Sequence, residues 1–266
     1  MTQPIVLDPS LTKAGFFHVR VKAQKRLVLC TCAREKAGKT HFAFTAPGPI
    51  AAVATDTGTE EVAGKFLSSK QIILSMVDVS DIDNQDEAQR EWEKLSGAII
   101  AGMDNPKIRT LVVDTGTEVY ETLRLAKFGK ISQVKPHHYV EVNKIMRNLI
   151  KRAYQREDLN CIWIHKQKKE YKQNKKGDDS WTGRYEFAGF GDAPYLVDMK
   201  LEHYFVDPTG EEPGRFGARV VGVSRQTPDV TGLELEGDGI PPDRLGCNFP
   251  SLASMVYPEL PVEYWL

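Results

Sequence analysis

Cysteine is scarce: the chain has four in 266 residues, and two of them, Cys30 and Cys32, lie inside an apolar stretch. That is no disulfide scaffold, and a reducing cytoplasm fits it best. No apolar run reaches the ~18 residues that a membrane helix requires, and Met1 to Ser10 lacks the basic-then-apolar layout of a signal peptide. A soluble protein with no membrane partner is therefore expected. Neither sign of charge dominates, since 35 Lys and Arg stand against 36 Asp and Glu, a net charge of −1. With 41% hydrophobic and 27% charged residues, the chain is too apolar and too evenly charged to be disordered, and it is long enough to bury its own core. A near-zero total argues at first against nucleic acid, but a total does not locate charge. Acids concentrate around Asp78 to Glu93 and Glu234 to Asp243, while lysines cluster elsewhere.

What is present is an alternation of β-rich apolar runs with helix-length segments. Arg26 to Thr31, Ile50 to Thr55, Gln71 to Val77, Thr110 to Val113 and Cys161 to His165 read as strands. Between them, Lys39 to Thr45, Asn84 to Ala101 and Tyr139 to Tyr154 read as helices. The second of these spaces Ala88, Trp92, Leu95 and Ile99 on one face and ends near Gly102. Such alternation predicts an α/β fold, a mainly parallel sheet flanked by helices. Leu196 to Phe205 and Arg215 to Val223, joined by Asp207-Pro-Thr-Gly210, predict a C-terminal antiparallel hairpin that extends the sheet. With no long repeat and no clear linker, the organisation reads as an N-terminal extension over 1–25, a core over 26–227 and a C-terminal extension over 228–266.

Between the first strand and its helix lies Ala33-Arg34-Glu35-Lys36-Ala37-Gly38-Lys39-Thr40, a P-loop pattern with alanine in place of the first glycine. Backbone N–H groups of such a loop cradle phosphates, Lys39 meets the β- and γ-phosphates and the Thr40 hydroxyl ligates Mg²⁺. The stretch from Ala33 to His41, together with Asp56, is the candidate nucleotide site. The pentapeptide Asp-Thr-Gly-Thr-Glu occurs twice, at Asp56 to Glu60 and Asp114 to Glu118, each time after an apolar strand. In a parallel sheet both copies then face the ligand end. Asp114 reads as the acid that holds Mg²⁺, and Glu60 as the first candidate, with Asp56 the second, for the base that orients water. Turns after strands also carry Asp and Gly for conformational reasons alone. Two Asp-Thr-Gly copies also match the aspartic-protease dyad, but those enzymes are all-β, whereas helices and a Gly-Lys-Thr loop surround these copies.

After His165 the chain turns basic. Lys166, Lys168, Lys169, Lys172, Lys175 and Lys176 meet one acid, Glu170, within Lys166 to Lys176, with Tyr171 among them, and Trp181, Arg184, Tyr185, Phe187 and Phe190 follow. A positive loop with aromatic faces suits single-stranded DNA, although lysine runs are also ordinary solvated surface. Arg124 to Lys135 is a second basic segment. His165 faces the γ-phosphate position as a relay, or is satisfied by a backbone partner. Arg219 and Arg225 are candidate arginine fingers toward a neighbouring subunit.

Together, the Gly38-Lys39-Thr40 loop, the Asp56 strand end, Leu111-Val-Val-Asp114, Ile162-Trp-Ile-His165 with its basic loop and the final strands resemble a phage family over roughly residues 26 to 225. It is that of the small RecA-like, AAA-domain ATPases encoded as single-strand annealing or recombination proteins. The resemblance implies a RecA-like P-loop core, ATP and Mg²⁺, single-stranded DNA binding, homo-oligomeric rings or filaments and cooperation with a single-strand binding protein. It assigns Lys39 and Thr40 to the phosphate loop, Asp114 to the metal acid, Arg225 to a late basic position and the post-His165 loop to DNA. Ala33 and the absence of the family's Asp-x-Glu at Asp56 depart from the pattern. They leave open a nucleotide-sensing or scaffold module without turnover. A helicase motor would need an accessory domain for which the chain has no room.

Overall fold

The computed structural model describes residues 9–14, 25–130, 136–173, 179–210, 213–224, 227–239 and 245–266. Its elements are α1 (Pro9–Lys13), β1 (Val28–Ala33), α2 (Lys39–Phe44), β2 (Ile50–Ala54), α3 (Gly58–Gly64), β3 (Ile72–Met76), α4 (Gln85–Asp104), β4 (Thr110–Asp114) and α5 (Gly116–Phe128), followed by α6 (Pro136–Arg152), β5 (Asn160–Gln173), β6 (Asp179–Phe187), α7 (Ala193–Leu196), β7 (Met199–Val206), β8 (Arg215–Val223), β9 (Glu234–Glu236) and α8 (Phe249–Val256). The sheet runs β3-β2-β4-β5-β1-β7-β8-β9, with β6 paired to the outer half of β5. From β3 through β7 all neighbours are parallel, and β7, β8 and β9 are antiparallel. The expected α/β fold with its antiparallel C-terminal extension is therefore the observed one.

Strand alternation divides the core in two, because successive side chains point to opposite faces of the sheet. Val28, Cys30, Leu111, Val113, Cys161 and Trp163 join α4, α5 and α6 on one face. Leu29, Val112, Ile162 and Ile164 meet Phe42 and Phe44 of α2, and Phe249, Leu252, Val256 and Trp265 of the C-terminal segment, on the other.

Two expectations need correction. Helix α4 passes through Gly102 to Asp104, because that glycine lies where the helix packs on β4, and a Cβ there would come within 2.8 Å of Leu111 Cδ1. The segment after His165 is not a loop. Strand β5 continues unbroken from the sheet to Gln173 and folds back through β6 as a hairpin. The apolar pattern stops at His165 because the outer half of β5 has no buried face. The ladder with β6 holds it extended instead.

Candidate functional site

The carboxyl ends of β1, β2 and β4 meet at a cleft of about 550 Å³ lined by Gly38, Lys39, Thr40, His41, Asp56, Thr59, Asp114 and Phe216, among others. Ala33 is the last residue of β1, buried and paired with Lys166 of β5. A residue in extended strand needs no glycine, which explains why alanine is accepted at the position where the P-loop pattern has Gly. The left-handed turns fall later, at Lys36 (φ 55) and Gly38 (φ 82). At Gly38 even a Cβ would press to 3.0 Å on the Phe216 ring. Glycine is thus required at position 38 both by conformation and by space.

Helix α2 starts at Lys39, whose ammonium donates to the carbonyls of Arg34 (2.8 Å) and Ala33 (3.5 Å). Burial pulls its pKa below the usual lysine value, with the Asp114 carboxylate acting in the opposite direction. A half-buried cation resting on neutral carbonyls at the mouth of a glycine turn is the donor set that suits phosphate. Asp114, 2% exposed at the end of β4, accepts on its Oδ2 the hydroxyls of Thr40 (2.8 Å) and Thr59 (2.9 Å). Burial pushes its carboxyl up, and these two hydrogen bonds act against the rise. A hydroxyl beside a buried carboxylate provides hard oxygen ligands, so Thr40 and Asp114 fit Mg²⁺.

The repeated pentapeptide occupies two unequal settings. Ala54, not Asp56, pairs with Asp114 across β2 and β4, so the first copy sits two residues further out. Asp114 is a buried strand residue, whereas Asp56 is an exposed turn residue whose Oδ1 accepts the Gly58 N–H at 3.0 Å. Asp56 still lines the cleft. Glu60 does not: it is exposed on α3, while Thr59 and Val62 of that helix turn inward. The acid preferred on sequence grounds for orienting water is therefore outside the cleft, and of the two candidates Asp56 is the one that lines it.

A second cleft of about 1060 Å³ adjoins the first. Arg34 lines only this one, while Glu35, Lys36 and Ala37 line both. Arg219 also lines it, but its guanidinium is tied to Glu234 across the β8–β9 pairing. Arg225, Lys175 and Lys176 lie outside the described residues. His165 does not end its strand. It is buried within β5, its Nδ1 3.5 Å from Thr117 Oγ1 and its ring 4.3 Å from that of Phe187. Burial also lowers its pKa to about 3, as it does for His203. Against the ordinary 6.5, both imidazoles stay neutral in the fold, so the unfolded chain binds more protons below that pH. Stability then falls as pH drops from 6.5 towards 3, by up to about 1.4 kcal/mol per unit for each histidine. Urea midpoints between pH 6.5 and about 5 should lose one such share of slope in His203→Gln.

On the hairpin, Lys166 pairs with Glu118, Lys168 with Glu186 and Lys172 with Glu170, while the Lys169 ammonium lies 5.4 Å from the centre of the Trp181 ring. The basic run is therefore less positive than its sequence implies. Its aromatic side is open: Tyr171 opposes Trp181 across the strands and Lys169 opposes Tyr185, with Tyr171 and Trp181 at least half exposed. Arg184, on β6, is exposed as well. At the root of the hairpin, the Arg34 guanidinium stacks over Tyr185 at 5.1 Å, which joins the phosphate loop to this aromatic side. Of the Arg124 to Lys135 segment, residues 131–135 lie outside the described residues; in the rest, which begins as the end of helix α5, Arg124, Lys127 and Lys130 pair with Glu121, Glu141 and Asp83.

Sequence reasoning missed Thr59 and Phe216 as cleft residues. Thr59 stood inside the repeated pentapeptide, whereas Phe216 comes from β8, more than 170 residues after the loop it covers, with no local signal. No helix among the described residues is long and apolar enough to cross a membrane.

No curated protein matches the chain. The solved structure of a RadB recombinase aligns with 80% of this chain and 87% of its own at 12% identity, with a TM-score of 0.45. A family model described as an AAA domain matches residues 25–204, a span that holds the phosphate loop, Asp114 and the whole of β5 and β6. With that match over two thirds of its length, the chain belongs to the family of P-loop AAA domains and carries its site on a mainly parallel α/β core.

Proposed function

We propose that the protein binds ATP with Mg²⁺, hydrolyses it, and acts on single-stranded DNA in phage recombination or annealing. Lys39 and the loop N–H groups hold the phosphates, Thr40 and Asp114 hold the metal, and Asp56 orients the attacking water. When bound, Mg²⁺ supplies charge neutralisation at the transferred phosphoryl group. Rings or filaments of the chain and a single-strand binding protein are its partners in this reading.

The observation that carries the DNA assignment is the open aromatic side of the β5–β6 hairpin, rooted on the phosphate loop through Arg34 and Tyr185. Bases stack on aromatic faces without sequence readout, at about 1–3 kcal/mol per base. Replacing both Tyr171 and Trp181 by alanine should therefore weaken single-stranded DNA binding about a hundredfold at fixed salt while ATP affinity holds. Fluorescence anisotropy reads this directly, and unchanged affinity would remove the DNA assignment. The position of Glu60 outside the cleft favours one second reading, a nucleotide-binding module without turnover. Phosphate release measured with and without single-stranded DNA separates the two.

A further inference from the structure

The two legs of the β5–β6 hairpin leave the sheet side by side, and one buried side chain grips both. The Thr117 hydroxyl accepts the backbone N–H of Lys166 at 3.0 Å and donates to the carbonyl of Ala188 at 3.0 Å. Thr117 lines neither cleft. Two glycines let the start of α5 approach this closely. A Cβ on Gly116 would come within 2.8 Å of His165 Cε1, and one on Gly189, at φ +98, within 3.0 Å of the Thr117 Cα. Glu118 adds an ion pair to Lys166 at 2.6 Å. The same turn begins at Asp114, whose carboxylate meets Thr40 and Thr59 in the nucleotide cleft.

We infer that Thr117 is a positioning residue that couples occupancy of the nucleotide cleft to the set of the β5–β6 hairpin. A cation on Asp114 competes with the two hydroxyls that now hold it, and any shift of Asp114 carries the Thr115-Gly116-Thr117 backbone with it. The Thr117 hydroxyl already uses its proton and a lone pair on the hairpin backbone. The hairpin must follow, or two buried hydrogen bonds must break. The inference rests on the reading of the cleft as an ATP and Mg²⁺ site and is independent of what the hairpin binds.

Hydrogen exchange of the amides from Gln167 to Lys172 and Ser180 to Phe187, with and without Mg²⁺ and a non-hydrolysable ATP analogue, tests it. In the wild type the analogue should change hairpin exchange by about tenfold, within the usual range of coupling between sites. In Thr117→Val the change should drop below about twofold, and Thr117→Ser should restore it, with analogue affinity equal in all three. Thr117→Ala gives the same readout if the valine variant does not fold. An undiminished change in the valine or alanine variant, or no change in a wild type that binds the analogue, overturns the inference. A wild type that binds no nucleotide overturns the cleft assignment and this inference together. A wild type that shows the change but binds no single-stranded DNA supports the coupling and overturns the DNA reading alone.

Discussion

Asp114→Asn should reduce ATP turnover by about a thousandfold or more, since a catalytic metal contributes several kcal/mol of charge stabilisation and each 1.36 kcal/mol is tenfold in rate. Asparagine keeps the shape and one acceptor for the Thr40 and Thr59 hydroxyls but cannot offer the metal a charge. ATP binding without Mg²⁺ should survive. The melting temperature should rise rather than fall, because burial pushes the Asp114 carboxyl up and an ionised group held there opposes folding at neutral pH. Steady-state phosphate release and a thermal melt on the same sample check both halves. Lost activity with a lowered melting temperature would mean that Asp114 serves the fold and not the chemistry.

Lys39→Ala should weaken ATP binding about a hundredfold, because a hydrogen bond from a charged donor contributes about 1.5–3 kcal/mol and the ammonium can serve more than one phosphate oxygen. The fold should tolerate the change, since among the described residues the ammonium's hydrogen bonds go to the Arg34 and Ala33 carbonyls at the mouth of the cleft. Titration calorimetry with ATP and Mg²⁺ measures the affinity. Binding of single-stranded DNA in the absence of nucleotide should be unchanged, which separates a local loss from general unfolding.

The parts of this site that could be read from sequence are those in which chemistry and chain order coincide. Gly38, Lys39 and Thr40 are consecutive, and Asp114 ends an apolar strand, so both signals are local. The repeat was visible but its inequality was not. Only the β2–β4 register shows that one copy ends in the core and the other two residues outside it. That register is why Thr59, and not Glu60, faces Asp114. The second copy also carries a legible helix start: the Thr115 side chain accepts the Glu118 N–H, the pattern of a capping box, and Val119, Tyr120, Leu123 and Ala126 then follow at helical spacing on α5. The length of β5 was hidden for a different reason. Sequence patterns register burial, and a hairpin projecting into solvent has a ladder but no buried face. The lysines were legible as a run, but their partners Glu118 and Glu186 lie on other elements, so the run overstated the free charge.

In the proposed function, one molecule joins a P-loop cleft to a hairpin for single strands. Its most direct test is ATP turnover titrated with single-stranded against double-stranded DNA. Turnover should rise with single-stranded DNA, rise little with duplex, and lose its stimulation when Tyr171 and Trp181 are both alanine. Turnover that is identical with and without single-stranded DNA in a wild type that binds ATP would contradict it.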